Sequence, residues 1–229
     1  MLAFTDGDAS YGAGTPITRR EEGTRWYEGR VGIVSPGFSG RRRAAGTNLP
    51  PGQYLAEDFP VLSAGPTPRI PLDRWEFVVS TELGERHTWS WEQFRALPAE
   101  TVTVDIHCVT KWSKLGTTWR GIRVETLLAD VESAGDFAMQ HSYGGYTTNL
   151  PLADLLDGQA WVAFEYEGEP LAPEHGGPAR FLVPHLYFWK SAKWARGLEL
   201  MAEDNPGFWE TAGYHDYGDP WREQRYQGD

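Results

Sequence analysis

The sequence predicts an α+β domain that contains more strand than helix and has many long connections. From residue 75 onward, short segments of alternating or β-branched residues recur between turn signals, whereas helical spacing is confined to a few short segments. The chain also has 26 glycines and 16 prolines, which favour turns and irregular connections. We therefore expect mixed sheets with short helices and long loops.

Residues 1 to about 74 are predicted to form an extended arm, because little in them repeats at helical or strand spacing. Within this arm, residues 47–53 and 64–69 contain prolines that exclude both segments from central strands and helix interiors. We expect them to lie across a core built by later residues. The predicted domain boundary falls within this arm: residues 1–44 precede the folded domain, and the remainder of the arm belongs to a domain of residues 45–229.

Residues 75–97 predict a hairpin followed by a short helix. Two alternating segments, residues 75–80 and 86–89, flank the turn sequence Leu83-Gly84-Glu85. Ser90 together with Gln93 forms a capping box that opens a helix ending near Leu97.

Residues 101–109 alternate β-branched and polar side chains, which predicts a half-buried strand. Cys108, the only cysteine of the chain, falls where this strand runs into a loop. A thiolate is a soft metal ligand and a nucleophile, and Lys111 and Lys114 would favour the ionised form. The alternative is that Cys108 is a small buried hydrophobic residue.

The second half of the chain continues this mixture of strands and short helices. Helical spacing covers residues 123–131, and Asn149 can cap a short helix from Pro151 through Leu156. Further strands are predicted at residues 137–143, 161–166, 180–184 and 194–202. From Asn205 the chain becomes an aromatic, glycine-rich tail.

Charge and composition exclude several classes of partner. The formal net charge of -11 disfavours binding to nucleic acid or to an anionic membrane surface. A single cysteine excludes an intrachain disulfide, and no apolar run approaches the roughly 18 residues that a membrane helix needs. Arg19-Arg20 precedes Glu21-Glu22 instead of an apolar stretch, so the twin-arginine export pattern is incomplete. We expect a cytoplasmic protein without membrane insertion.

Two neighbouring segments predict a site for a dianion. His175-Gly-Gly-Pro-Ala-Arg180 places two glycines ahead of an arginine at the start of a strand. Lys190-Ser-Ala-Lys193 adds two cations, the Ser191 hydroxyl and small residues such as Ala192 whose amides would stay accessible. Together they offer the convergent donors that a phosphate requires. The glycine spacing matches neither a Rossmann nor a P-loop motif, so nicotinamide and ATP are not indicated.

A third segment, residues 142–149, is a glycine turn flanked by hydroxyl groups. Here Tyr146 can direct its phenol into a pocket or pack in the core. The six histidines lack paired zinc spacing, so a zinc site with Cys108 is not indicated. A Cys-His hydrolase stays open on composition, although no local signature of such enzymes surrounds Cys108.

These segments carry a resemblance to a known family. The stretches Asp105–Cys108, Gly145–Leu152, Pro170–Arg180, Val183–Lys193 and Gly197–Glu199 resemble the molybdopterin-binding domain of the sulfite oxidase family. The resemblance covers about residues 45–205. It is nearest to the small bacterial members, which include the catalytic subunit of the periplasmic methionine sulfoxide reductase.

The resemblance implies a mononuclear molybdenum cofactor in a catalytic domain that continues into the tail. Cys108 would bind molybdenum beside the sulfurs of one molybdopterin, and Tyr146 would be the active-site tyrosine. The residues that would hold the cofactor are Asn48, Ser142, His175, Arg180, Ser191, Ala192 and Lys193. No haem is expected, because this chain has no room for the haem domain of animal sulfite oxidase.

One departure from the family pattern guides the expected reaction. The family's sulfite oxidases place an arginine just after the cysteine to hold sulfite, whereas this chain offers Lys111. We therefore expect oxygen-atom transfer to or from a small molecule, most readily an S-oxide, with Lys111 and Tyr146 facing the substrate. The alternatives are sulfite oxidation and a cofactor-free binding module that retains the fold. The electron donor or acceptor is not identified by the sequence.

Overall fold

A computed structural model describes residues 48–229, which contain two β-sheets and short helical segments. The strands are β1 (Tyr54–Leu55), β2 (Glu76–Ser80), β3 (Arg86–Ser90), β4 (Ala99–His107), β5 (Trp112–Arg123), β6 (Phe137–Ser142), β7 (Thr147–Pro151), β8 (Trp161–Tyr166), β9 (Glu169–Pro170), β10 (Arg180–Leu182) and β11 (Ala195–Met201). The α-helices are α1 (Trp91–Arg95), α2 (Val124–Leu128) and α3 (Phe208–Thr211). Short 3₁₀ helices occur at Leu72–Arg74, Leu152–Leu155, Pro173–His175 and Phe188–Lys190. The predicted α+β class is confirmed.

Strand β5 organises the first sheet, which has six strands within residues 48–229. It pairs antiparallel with β4 and β8 and parallel with β1, while β10 and β9 extend the sheet from β8. The second sheet has the strand order β3-β2-β11-β6-β7, in which β11 runs parallel to β2 and antiparallel to β6. Although β11 comes last among the strands in the described sequence, it lies at the centre of this sheet, between β2 and β6.

The larger hydrophobic core combines side chains from both sheets. Phe77 of β2, Phe164 of β8 and Phe181 of β10 all belong to it, with exposed fractions of 0%, 2% and 0%. Burying one such side chain contributes about 1.5–3 kcal/mol. These contacts stabilise the two sheets as one folded unit.

A second hydrophobic cluster contains Cys108 and lies on a different side of the six-stranded sheet. Along β8, Val162 packs in the larger core while its neighbours Trp161 and Ala163 pack in the second cluster. Since successive side chains of a strand point to opposite faces, the sheet is covered on both faces. Trp112, with an exposed fraction of 1%, also belongs to this cluster.

The predicted hairpin and its following helix are confirmed. Strands β2 and β3 pair in antiparallel register, and α1 begins directly after Ser90. The Ser90 hydroxyl accepts a hydrogen bond from the Gln93 amide at 3.2 Å, and the Ser90 amide donates to the Gln93 side chain at 2.8 Å. The helical segment after Arg123 and the strands β6, β8, β10 and β11 also form where the sequence predicts them.

Two features differ from the sequence prediction. Residues 112–123 form the longest strand of the described chain, although the sequence indicated a loop after Cys108. Asn149 lies within β7 and does not cap a helix, because the 3₁₀ helix Leu152–Leu155 begins after Pro151. The Asn149 side chain instead accepts from the Lys190 amino group at 3.3 Å and donates to Asp204 at 2.8 Å.

The predicted arm is described only from Asn48 onward, so the boundary near residue 44 lies outside the described residues. Its described part is mostly irregular, with β1 pairing to the start of β5. Among residues 48–229, no helix is long and apolar enough to cross a membrane.

Candidate active site

Cys108 lies in a tight turn that joins β4 to β5. The amide of Lys111 donates to the Cys108 carbonyl at 2.9 Å, and the amide of Cys108 donates to the Trp112 carbonyl at 2.8 Å. Lys111 has a φ of 78°, a left-handed conformation that a side chain adopts only at some cost. The thiol is buried, with 8% of the residue exposed, and lies 3.1 Å from the Thr110 hydroxyl. The turn therefore holds Cys108 in a defined position.

Gln53 connects the arm to the cysteine turn through buried polar contacts. Its amide nitrogen donates to the Cys108 carbonyl at 3.1 Å, and its carbonyl oxygen accepts from the Ser113 hydroxyl at 3.3 Å. The Ser113 oxygen lies 2.8 Å from Nδ1 of His107. The cysteine backbone is thus supported by a segment far from it in the sequence.

The charges around Cys108 come from distant parts of the chain. Burial raises the pKa of the Cys108 thiol, and this effect is opposed by Thr110 and by the positive charges of Arg225 and Lys193. Lys111 and Lys114, for which the sequence predicts this role, are not among the largest influences on the thiol's pKa. Lys111 is exposed, and the Lys114 amino group donates to the Glu57 carbonyl at 2.7 Å.

Arg180 is a buried cation held by backbone carbonyls. Its two terminal nitrogens donate to the carbonyls of His175, at 2.7 Å, and Ser191, at 2.8 Å. The guanidinium lies 3.9 Å from the centre of the Phe188 ring. Burial lowers the pKa of Arg180 to about 9, and no carboxylate within residues 48–229 forms a salt bridge with it. Such a buried charge is best compensated by an anionic ligand.

Lys193 and Arg180 both pack against Gly176, which has no side chain to hold them apart. A Cβ atom at Gly176 would lie 3.0 Å from the Cβ of Lys193 and 3.1 Å from that of Arg180. The Lys193 amino group donates to the carbonyls of Leu62, at 2.7 Å, and Glu174, at 2.6 Å. Burial, and then the charge of Arg180, lower the pKa of Lys193 to about 7. Two cations in this arrangement favour binding of a dianion.

Five buried side-chain polar atoms of the described residues have no hydrogen-bond partner, and two of them belong to the segments that carry Arg180 and Cys108. These two are Nδ1 of His175 and Nε1 of Trp112, which follows the cysteine turn. The His175 ring stacks on Phe59, with ring centres 4.0 Å apart and an angle of 6° between planes. Buried donors without partners are rare in folded proteins. They are available to polar atoms of a bound heterocyclic ligand.

Ser191 and Ala192 hold their own loop in place. The Ser191 hydroxyl accepts from the Val183 amide at 2.8 Å, and the Ser191 amide donates to the Phe188 carbonyl at 3.2 Å. The Ala192 amide donates to the Gln140 side chain at 2.9 Å. The amides that the sequence analysis expected to be accessible are therefore already engaged.

Ser142 ends strand β6, and Tyr146 lies in the turn that joins β6 to β7, where it interacts electrostatically with Arg180. The Tyr146 hydroxyl donates to the Trp189 carbonyl at 2.7 Å, and burial raises the pKa of this phenol well above its usual range. The Ser142 hydroxyl accepts from the Gly144 amide at 3.2 Å. Both residues line a groove of about 370 Å³, together with residues of β2, β3 and β11.

Three further residues complete the description, of which Asn48 was predicted from the sequence and Arg225 and Gln53 were not. Asn48 is exposed at the first described position. Arg225, which the sequence analysis did not identify, is only 8% exposed and donates to the Val109 carbonyl at 2.9 Å. No sequence signal marked it, because it lies in an irregular tail. Gln53 was also missed, although the preceding Pro-Pro-Gly sequence indicates a turn there. Within residues 48–229, no three His, Cys, Asp or Glu side chains cluster as a metal site.

A family profile and a curated relative both identify this chain as similar to oxidoreductases. The sequence profile described as the oxidoreductase molybdopterin binding domain matches residues 64–209. An uncharacterized oxidoreductase of Bacillus subtilis is 43% identical over 184 residues, which cover 79% of this chain and 93% of the Bacillus protein.

Other relatives are longer than this chain. The protein-methionine-sulfoxide reductase catalytic subunit of Pseudomonas syringae is 25% identical over 171 residues, covering 65% of this chain and 50% of that protein. The mitochondrial sulfite oxidase of Rattus norvegicus is 24% identical over 203 residues, covering 72% of this chain and 37% of that protein. This chain therefore spans half or less of their length.

A solved structure shows the same fold. The crystal structure of the sulfane dehydrogenase SoxCD from Paracoccus pantotrophus matches 60% of this chain and 40% of its own chain, with a TM-score of 0.54 and 18% identity. At this identity the similarity concerns the fold alone.

Proposed function

Because the chain belongs to the oxidoreductase molybdopterin binding domain family, we propose that it uses Cys108 as the ligand of a molybdenum cofactor and catalyses oxygen-atom transfer to or from a small substrate. The chain is an oxidoreductase, as the family is. When bound, the cofactor supplies the two-electron redox chemistry. The protein supplies binding, orientation and electrostatics.

One observation carries the cofactor proposal most directly. The buried thiol of Cys108 lies in the field of Arg180, Lys193 and Arg225. Burial raises the thiol's pKa, so the isolated thiol stays protonated, whereas a metal cation can replace the proton and stabilise the thiolate. A soft thiolate suits molybdenum in combination with the dithiolene sulfurs of the cofactor.

The proposed cofactor contacts follow from the charges and unpartnered donors. Arg180 and Lys193 would hold the phosphate, since both are cations without a carboxylate partner among residues 48–229. The unpartnered Nδ1 of His175 and Nε1 of Trp112 would satisfy polar atoms of the pterin. The roles of Asn48, Ser142, Ser191 and Ala192 as cofactor contacts stay predictions from the sequence, as does the cytoplasmic location.

The proposed substrate is a neutral S-oxide. Of the two arginines that act on the Cys108 thiol, Arg180 is assigned to the cofactor phosphate, and Arg225 donates both terminal nitrogens to backbone carbonyls. Neither is therefore left to grip an oxyanion substrate with two hydrogen bonds. Exposed Lys111, three residues after Cys108, can instead donate a single charged hydrogen bond to an S=O oxygen. The kinship with the Pseudomonas methionine sulfoxide reductase subunit supports this choice. Tyr146 stays a prediction as a substrate-facing donor, since its hydroxyl here donates to Trp189.

Sulfite oxidation is the second candidate, because the rat sulfite oxidase is also a relative. Steady-state turnover of the molybdenum-loaded chain separates the two reactions. Methionine sulfoxide would be assayed with a reduced dye as electron donor, and sulfite with an artificial electron acceptor. We expect the sulfoxide to be the better substrate. Efficient sulfite oxidation without sulfoxide reduction would contradict the proposed substrate.

The role of Lys111 is tested by Lys111→Met. Because a hydrogen bond from a charged donor contributes about 1.5–3 kcal/mol, we expect kcat/KM for the sulfoxide to fall about tenfold or more. Lys114→Met is the matched control, since the Lys114 amino group donates to the Glu57 carbonyl, and its kcat/KM should stay at the wild-type value. Equal values for Lys111→Met and wild type would exclude a substrate-facing role.

A further inference from the structure

The C-terminal tail reaches the cysteine turn through Arg225. This residue lies beyond the matched family region, which ends at residue 209. One terminal nitrogen of its guanidinium donates to the Val109 carbonyl at 2.9 Å, and the other donates to the Pro51 carbonyl at 3.1 Å. Val109 belongs to the turn that carries Cys108, and Pro51 belongs to the turn that carries Gln53. The Arg225 side chain therefore connects the turn that carries Cys108 to the turn that carries Gln53.

The approach of the tail to the second turn is close. Gly52 has a φ of 70°, and a Cβ atom there would lie 2.9 Å from the Glu223 carboxylate and 3.2 Å from Nη2 of Arg225. A side chain at position 52 would have to displace the exposed Glu223 carboxylate and would adopt a strained left-handed backbone conformation. The guanidinium also lies 5.0 Å from the centre of the Tyr187 ring. Arg225 is thus packed on several sides.

The tail itself is anchored by its own hydrogen bonds. The Asp229 carboxylate accepts from the amides of Arg225, at 2.9 Å, and Tyr226, at 2.7 Å. The amide of His215 donates to the Arg225 carbonyl at 3.2 Å, and Tyr214 forms an isolated β-bridge with Tyr226. Hydrogen bonds within the tail therefore fix the Arg225 backbone independently of the contacts that its side chain makes with the two turns.

We propose that Arg225 is a positioning residue of the active site, which clamps the turns of residues 50–53 and 108–111 and so fixes Cys108 towards the cofactor. A guanidinium suits this task because its rigid fork donates to two carbonyls at once, whereas an ammonium group is a single point charge. The inference rests on the proposed role of Cys108 as the metal ligand. It assigns an active-site function to a segment outside the matched family region.

The clamp is tested by hydrogen exchange of the full chain, produced in cells that cannot synthesise molybdopterin. In Arg225→Ala, we expect exchange to rise about tenfold in peptides covering residues 50–56 and 108–113, because each 1.4 kcal/mol lost from local opening is a factor of ten. Peptides from β8 and β11 should exchange at the wild-type rate. Arg222→Ala removes an exposed charge from the same tail and should change neither region.

Two further measurements distinguish a clamp from a general effect on stability. Methylguanidinium added to Arg225→Ala should restore slow exchange in the two turns, and Arg225→Lys should give an intermediate rate. If the alanine variant does not fold, the lysine variant carries the same comparison. Unchanged exchange in the turns, or an equal rise throughout the protein, would overturn the proposal.

Molybdenum content connects the clamp to the cofactor. In cells that make molybdopterin, Arg225→Ala should copurify with less molybdenum than either the wild-type chain or Arg222→Ala. Equal molybdenum in all three would overturn the positioning role. A wild-type chain without molybdenum would refute the proposed function instead, while the exchange experiment would still decide whether Arg225 clamps the turns.

Discussion

At the scale of single residues, Lys193 lies where the protein disfavours its charge. Burial and the neighbouring Arg180 lower its pKa to about 7, compared with about 10.4 in an unfolded chain. Between these two pH values, the unfolded state binds more protons at this site than the folded state does. The contribution of Lys193 to the unfolding free energy therefore becomes more favourable as pH rises above about 7.

This linkage predicts a pH-dependent difference between the wild-type chain and Lys193→Met, both without cofactor. Below about pH 7 the folded wild type carries a partly desolvated charge, and above it that cost is removed. The unfolding free energy of wild type minus that of the variant should therefore increase from about pH 7 to about pH 9. Urea denaturation at several pH values measures this difference. A difference that is constant with pH would contradict the assigned pKa.

At the scale of elements, a buried ion pair joins helix α3 to the segment that precedes Ser191. Lys190 and Glu210 are both fully buried, and their charged atoms are 2.6 Å apart. Glu210 also accepts hydrogen bonds from the Thr148 hydroxyl at 2.8 Å and the Trp189 ring nitrogen at 2.9 Å. Burial lowers the pKa of Lys190, and the charge of Glu210 opposes this effect. Neither charge is tolerated there without the other.

Removing one partner should therefore be costly. We expect Glu210→Gln to lower the unfolding free energy by about 3–5 kcal/mol, because it leaves the Lys190 charge buried without a counter-charge. Adding Lys190→Met should recover part of this loss, since the unpaired charge is then gone. A double-mutant cycle by urea denaturation measures the coupling. Purely additive effects of the two substitutions on the unfolding free energy would show that Lys190 and Glu210 are not energetically coupled.

The elements also show what a sequence can and cannot predict. Strands β2, β3 and β8 were predictable because their alternating or apolar patterns are local. Strand β5 was missed because its alternation is broken by Gly116 and Gly121 and by adjacent buried residues. Gly121 is needed because a Cβ atom there would lie 2.7 Å from the Val162 carbonyl of β8. That requirement arises only once the strands pair.

At the scale of the whole molecule, the proposed site combines the arm, the cysteine turn, the 175–193 segment and the tail. Cys108, His175, Arg180 and Lys193 could be predicted because each lies in a recognisable local motif. Arg225 could not be predicted, because its role depends on a contact with Val109, which is distant in the sequence. The hydrogen bonds of the Ser191 and Ala192 amides could not be predicted either, because tertiary packing determines their partners.

The central claim is that Cys108 binds molybdenum within a molybdopterin cofactor. Metal and pterin analysis of the purified wild-type chain and of Cys108→Ser, both from molybdenum-replete cells, tests it most directly. We expect equimolar molybdenum and pterin in the wild type, and a marked loss of molybdenum in Cys108→Ser, because serine replaces a soft ligand with a hard, poorly ionised one. A wild-type chain with neither molybdenum nor pterin, or a serine variant with undiminished molybdenum, would contradict the claim.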